Sequence, residues 1–256
     1  MRILLTNDDG YQSEGLLKLK DSLEQIAHVD VLAPDRNWSA SSHSRTLRGS
    51  LTVRRTQLAD GSTILTSDGT PSDCVALALM AVLPHRPDLV VSGINRGPNL
   101  GSDVTYSGTV AAAMEGVLFG LPAIAFSLGG YSDWYFDPAA AFAQWLIPEV
   151  LQKGLPDGVL LNVNVPNHRD GTIREVEWTR LGKLIYQNKL ELVDQDEDWQ
   201  HFHMAGIPPS GEIIPGTDIA ALAAGRISIT PLHLDLTEYR FLQELGRWGL
   251  DKVITL

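Results

Sequence analysis

Short apolar runs and longer apolar stripes alternate along the first two thirds of the chain. Arg2–Thr6, Val29–Ala33, Leu89–Ser92, Ala123–Ser127 and Val159–Val163 are short runs, apolar on both faces, as expected of strands in a parallel sheet covered on each side. Between them, Leu16–Ile26, Ser72–Leu83, Thr109–Leu118 and Ala139–Leu151 space their apolar residues as helices do. Ser72 and Ser107 stand where an N-cap belongs, and Pro84 and Pro122 where a helix has to stop. This alternation predicts an open, doubly wound, mostly parallel α/β sheet up to Pro166.

After Pro166 the pattern changes. Thr172–Trp178 and Lys183–Tyr186 predict a hairpin with Gly182 in or near its turn. Asn188–His203 holds Glu191, Asp194, Asp196, Glu197 and Asp198 against Lys189 alone; it reads as a solvated loop or an extended arm. Arg226–Pro231 predicts a strand and Glu238–Trp248 a helix. The expected organisation is a core over residues 1–166 and a β-rich extension over 167–256 that pairs with a partner subunit.

Composition narrows the function classes. At 256 residues and 44% hydrophobic, the chain can bury a core without disulfides or a structural metal. Lys plus Arg is 20 against 31 Asp plus Glu, a formal charge of −11, which repels a nucleic-acid backbone and an anionic membrane surface. A small anionic substrate is still admitted if a metal ion supplies local positive charge. Cys74 is the single cysteine, so an internal disulfide, a cysteine zinc cluster and a CxxC redox site are excluded. The apolar start is too short for a signal peptide and no apolar stretch is long enough to span a bilayer, so a soluble cytoplasmic protein is expected.

Three stretches carry candidate chemistry. Asn7-Asp8-Asp9-Gly10 follows the first strand, where ligands bind in open α/β sheets. Two adjacent carboxylates repel one another, and a divalent cation such as Mg²⁺ or Mn²⁺ relieves this; a solvated Asp-Asp turn is the competing reading. The loop from Pro34 to Arg45 follows the second strand and is rich in hydroxyls, with Arg36, Arg45 and Arg48 nearby. It suits a metal, a phosphate or a ribose, or no ligand at all. Ser92 to Gly101 is a glycine- and asparagine-rich loop whose N–H groups can face an anion, although it is neither GxGxxG nor a Walker A sequence. Tyr106-Ser107-Gly108-Thr109 then opens a helix, which gives either an ordinary cap or a phosphate site. Cys74 reads as core, His201 and His203 as exposed, and His43 and His233 as structural. No GxSxG elbow is present.

In this order, MRILLTNDDG, APDRNWSASS, SDGTPSDCV, VVSGINRGPNLGSDVTYSGTVAAAMEG and ISITPLHLDLT closely resemble the stationary-phase survival protein SurE family over nearly the whole chain. The resemblance implies a Rossmann-like core with a C-terminal extension exchanged in a homodimer, sometimes paired into a homotetramer. It also implies a metal-dependent phosphatase for nucleoside 5′- and 3′-monophosphates, in some members also for short polyphosphate. Carried over by residue, the ligands of one divalent cation per subunit, Mn²⁺ or Mg²⁺, fall on Asp8, Asp9, Ser39 and Asn95. The substrate phosphate falls to Asn95, Gly97, Ser107, Gly108 and Thr109. Tyr11–Gly15 and Trp38 depart from the family pattern, and they bear on base preference rather than on the reaction.

The expected chemistry is attack of water on a phosphomonoester, with Asp8 or Asp9 as candidate proton acceptor. An aspartyl-phosphate route through Asp8 is disfavoured because its usual second Asp, two positions on, is Gly10 here. A nucleotide-binding regulator would not need two carboxylates at this place.

Overall fold

The computed structural model describes residues 1–169 and 175–248. In chain order its elements are β1 (Arg2–Thr6), α1 (Glu14–Leu23), β2 (His28–Pro34), β3 (Val53–Gln57), β4 (Thr63–Ser67), α2 (Pro71–Leu77) and β5 (Leu89–Arg96). There follow α3 (Gly108–Leu118), β6 (Ala123–Gly129), α4 (Asp137–Lys153), β7 (Val159–Pro166), β8 (Val176–Trp178), β9 (Leu184–Gln195), β10 (Gln200–Gly211), α5 (Asp218–Ala223), β11 (Ile227–His233) and α6 (Tyr239–Leu245).

Nine strands form one sheet in the order β3-β4-β2-β1-β5-β6-β7-β11-β8. All neighbouring pairs are parallel except β3 with β4 and β7 with β11. The five central strands expected from the apolar runs are present, and most of their residues are buried because helices cover both faces. Leu16, Leu19 and Leu23 of α1 pack with Phe142, Leu146 and Val150 of α4 on one face. Cys74 and Val75 of α2 pack with Val110, Ala112 and Ala113 of α3 on the other. The strand order reverses between β1 and β5, so the crevice at their carboxyl ends lies at the topological switch point.

The helix caps follow from the sequence. Ser13 caps α1, and Ser107 caps α3 by accepting from Val110 N–H. For α2 the cap is Thr70 rather than Ser72, because Pro71 takes the first helical position and Asp73 completes a capping box. The helix then widens into a π-helical turn, Ala78–Val82, before Pro84.

Two further expectations are corrected, and in a third segment one of two alternatives is decided. β3 and β4 fall where no strand was expected; Arg54 and Arg55 on the edge strand hide its alternation while protecting that edge from further pairing. Val176–Trp178 does not pair with Lys183–Tyr186. It joins the main sheet parallel to β11, whereas β9 pairs with β10. Thr172–Arg174 of that expected strand lie outside the described residues. Asn188–His203, finally, is mostly a two-stranded hairpin whose turn is closed by Asp196, which accepts from Asp198 and Trp199 N–H at 2.8 and 2.9 Å. Its apolar residues, among them Leu190, Leu192 and Phe202, are exposed, and that is why the segment carried no core-facing pattern.

Candidate active site

Asp8 and Asp9 leave β1 at the switch point, held by a turn that Asn7 closes. Its amide donates to Gly10 O at 3.0 Å and to Ser13 Oγ at 2.7 Å, tying the turn to the start of α1. Gly10 has a φ of +94°, and a Cβ there would come within 3.0 Å of the Arg36 carbonyl. The chain turns sharply there without a side chain, and the loop after β2 closes over it.

Asp8 is 4% exposed. Its Oδ1 accepts from the Thr109 hydroxyl, and its backbone oxygen accepts from Trp38 N–H at 2.8 Å. Gly108, the first residue of α3, lies against this carboxylate: a Cβ on it would be 2.8 Å from Asp8 Cβ and 2.7 Å from Ser41 Oγ. The N-terminus of α3 is thereby brought onto Asp8. Burial pushes the Asp8 carboxyl up to about 6, opposed by the Thr109 hydrogen bond and reinforced by the charge of Asp9. Burial also raises Asp9, although its Oδ2 accepts from Arg96 N–H at 3.0 Å.

The basic residues of the polar loop do not neutralise these acids. Arg36 pairs with Asp35 at 2.8 Å and lies over the Trp38 ring. His43 and Arg45 reach Glu115 of α3 at 2.9 and 2.8 Å. Glu115 is 1% exposed and clamps the loop to the helix whose N-terminus faces Asp8. Ser42 adds two bonds to the same region, from its N–H to Tyr106 O at 2.9 Å and from its hydroxyl to Thr105 O at 2.7 Å.

On the β5 side, Asn95 Nδ2 donates to Gly97 O at 2.9 Å and Gly97 has a φ of +109°. The loop is anchored further on: Asn99 N–H donates to Asn164 at 2.8 Å, and Asn162 and Asn164 donate to Asn99 O at 2.8 and 3.0 Å. Gly101–Thr105 forms a 3₁₀ turn leading to Tyr106 and the Ser107 cap.

The structure therefore brings Asp8, Asp9, Gly108 and Thr109 into direct contact or immediate adjacency, and joins Asn95 and Gly97 to Asp9 through Arg96. Ser39 is connected indirectly, its N–H bonding Asn37 Oδ1 at 2.7 Å while the Asn37 amide reaches Asp9 at 3.5 Å. Sequence reasoning missed Glu115, Ser41 and Asp73, which accepts from Thr46 N–H and hydroxyl at 2.8 Å each. A lone acid in the apolar helix opposite a loop bearing His and Arg was the available signal for Glu115.

The donor set suits a hard divalent cation. Of the two carboxylates, the buried Asp8 lies near the orphaned Ser41 hydroxyl, and burial raises the pKa of both acids, so added positive charge is favoured. Among the described residues no group of three or more His, Cys, Asp or Glu gathers in one place, so such a site would rely on hydroxyl and amide oxygens as well.

Fold and site together define a doubly wound α/β protein with an acidic, helix-capped crevice at its switch point. The family model described as Survival protein SurE matches residues 3–188, and the chain belongs to that family. It is 51% identical to the 5′-nucleotidase SurE of Herpetosiphon aurantiacus, over 96% of this chain and 97% of that protein. With the 5′-nucleotidase SurE of Chloroflexus aggregans it shares 47% identity, over 97% and 99%. The crystal structure of the Sure protein from Aquifex aeolicus superposes with a TM-score of 0.84 at 40% identity, covering 97% of this chain and 99% of that one.

Proposed function

We propose that the protein is a metal-dependent phosphomonoesterase that releases phosphate from nucleoside 5′- and 3′-monophosphates, and from short polyphosphate as a secondary substrate. The observation that carries this reading is the buried Asp8 carboxylate set against Gly108 and Thr109 at the start of α3. One site then offers a place for a cation and, beside it, helix N–H groups for a phosphate. The names of the relatives support the 5′ activity.

Asp8, Asp9, Ser39 and Asn95 would hold one divalent ion, Mn²⁺ or Mg²⁺. When bound, that ion polarises the phosphoryl group and makes bound water more acidic. Gly97, Ser107, Gly108 and Thr109 orient the phosphate, with the α3 dipole favouring its negative charge. Asp9 is less buried than Asp8 and has an exposed neighbour in Arg96, and it is the better placed of the two to accept a proton at Oδ1. An aspartyl-phosphate route through Asp8 is disfavoured because the second Asp it would want, two positions on, is Gly10 here.

The core over 1–166 carries these residues, and the extension over 167–256 supplies an arm for exchange in a homodimer, which can pair into a tetramer. The hairpin of β9 and β10 supports this, since an isolated two-stranded ribbon with exposed apolar residues is marginal alone. No helix among the described residues is long and apolar enough to cross a membrane. The single free, buried thiol of Cys74 supports a cytoplasmic setting.

The test is phosphate release by chelator-stripped protein from 5′- and 3′-nucleoside monophosphates, with Mn²⁺, Mg²⁺ or no metal restored. Release only with metal supports the reading; tight nucleotide binding with no release under any condition replaces it with a binding regulator.

A further inference from the structure

The strand ends beneath Asp8 carry buried hydroxyls where the rest of the sheet carries apolar side chains. On β1, Ile3 and Leu5 belong to the core under α1 and α4, and Leu4 to the core under α2 and α3. Alternation therefore turns Thr6 towards α2 and α3, with Asp8 two positions further along the chain. On β5, Leu89 and Val91 face the first core and Val90 the second, so Ser92 turns to the same side as Thr6. Thr6 and Ser92 are register partners on these adjacent parallel strands, and both are fully buried. Neither hydroxyl has a hydrogen-bond partner among the described residues. Ser72, in the first turn of α2 and 1% exposed, holds a third such hydroxyl. It precedes Val75 by three residues, so it shares the sheet-facing side of α2, one turn nearer the carboxyl ends of the strands.

The helix above leaves room at this level. Gly116 of α3 lies against Val90, where a Cβ on it would be 2.8 Å from Val90 Cβ. A helix rises about 1.5 Å per residue and a strand about 3.3 Å, so Ala112 comes over Ser92, and Thr109 reaches past the strand end to its bond with Asp8. Ala112, wholly buried, brings only a methyl group. Valine at position 6 and alanine at 72 and 92 would continue the apolar packing, whereas an unpaired buried hydroxyl is costly. Three of them, between the first turns of α2 and α3 and under a buried carboxylate, form a polar pocket that core packing does not account for.

We propose that the hydroxyls of Thr6, Ser72 and Ser92 hold bound water that hydrogen-bonds the Asp8 carboxylate from below and fixes its orientation for a divalent cation. All three are positioning residues, acting through Asp8, and the assignment rests on the metal-dependent reading above. Each hydroxyl donates one hydrogen bond and accepts others, so a small water cluster satisfies them and Asp8 together. With Thr109 on one oxygen and this cluster beneath, the carboxylate is ordered before the cation arrives. Contacts of this kind, one step behind a metal ligand, contribute about 10- to 100-fold in metal affinity.

Thr6→Val, Ser72→Ala and Ser92→Ala each remove a hydroxyl with little change of volume, whereas Thr6→Ser keeps the hydroxyl and loses a methyl group. Two readouts are taken on the chelator-stripped full chain. One is Mn²⁺ titration followed by electron paramagnetic resonance, counting the binding that Asp8→Asn abolishes; the other is the melting temperature without metal. Each hydroxyl-removing variant is expected to weaken Mn²⁺ binding by about tenfold and to melt close to the wild type. Thr6→Ser is expected to do the opposite, melting lower while binding Mn²⁺ as the wild type does. Unchanged Mn²⁺ affinity in all three hydroxyl-removing variants overturns the proposal. An affinity that follows the melting temperature across the set, instead of the presence of the hydroxyl, overturns it as well. Phosphate release from AMP is measured in parallel. A wild type that binds Mn²⁺ with this hydroxyl dependence but releases no phosphate keeps the assignment and removes the nucleotidase reading. A wild type that binds no Mn²⁺ through Asp8 overturns the assignment outright.

Discussion

The backbone N–H of Gly101 meets Oδ2 of Asp218 at 2.8 Å, across 117 residues of chain. Oδ1 of the same carboxylate accepts from Gly182 and Ile219 N–H at 2.7 and 2.8 Å. One buried acid at the start of α5 thus holds the loop that runs from Asn95 to Ser107. Tyr186 of β9 adds a second tie by donating to Asp103 at 2.6 Å. Asp218→Asn keeps an oxygen for two of the three donors and presents an amide nitrogen to Gly101. Turnover should fall between about 10- and 100-fold, because small misplacements of reacting groups are costly. Far-UV circular dichroism should stay native, and loss of the fold in this variant would make Asp218 merely structural.

Asp9→Asn should remove most phosphate release while leaving the melting temperature near that of the wild type. The substitution keeps an oxygen for Arg96 N–H but withdraws the charge that would balance a cation. Retained turnover would take Asp9 out of the proposed ligand set.

Asp8 makes the metal-free protein pH-sensitive. Burial raises its carboxyl to about 6 from the ordinary 3.8, so the folded state holds the proton more tightly than the unfolded chain. Stability contributed by the neutral form is present below 3.8, is lost as pH rises towards about 6, and stays lost above it. The full effect is on the order of 3 kcal/mol, at about 1.4 kcal/mol per pH unit. Chelator-treated wild type should therefore lose more stability between pH values of about 4 and 7 than Asp8→Asn does. Added Mn²⁺ should restore most at the higher pH, as measured by thermal melts.

Removal of the Glu115 side chain should loosen the polar loop. Glu115→Ala leaves His43 and Arg45, which are partly exposed, to pair with water beside a new cavity, at a cost of about 1–3 kcal/mol. Glu115→Gln keeps the volume and should cost less. Limited trypsin digestion would be expected to nick the chain after Arg45 or Arg48 sooner in both variants, and first in Ala.

Leu192 and Phe202 face each other across the hairpin as a register pair, and both are exposed. If this ribbon is the exchanged arm, replacing both with Glu should shift the protein towards monomer in light scattering. An unchanged mass would place the interface elsewhere.

The sheet was legible because its central strands are buried on both faces, so each reads as an unbroken apolar run whatever it contacts. The edge escaped because β3 has one dry side at most, and Arg54 and Arg55 interrupt what remains. The β9–β10 ribbon escaped because no core in the same chain selects one of its faces. At the site, the neighbouring Asp8 and Asp9 could be read directly, and the α3 cap stood in Ser107. The Thr109 bond to Asp8 joins residues 101 apart, and the clamp of Glu115 on His43 spans 72. Pairings of that separation are products of the topology and leave no local spacing to find.

Cys74 lies wholly within the packing of α2, and burial lifts its thiol well above the ordinary range. The thiolate is the form that oxidants and alkylating agents attack, so the chain's one sulfhydryl is withheld from them. The folded chain and its oxygen-lined crevice thus present no thiol to the surroundings. Peroxide should find only methionine sulfur to modify, and storage without reductant should give no disulfide-linked aggregates.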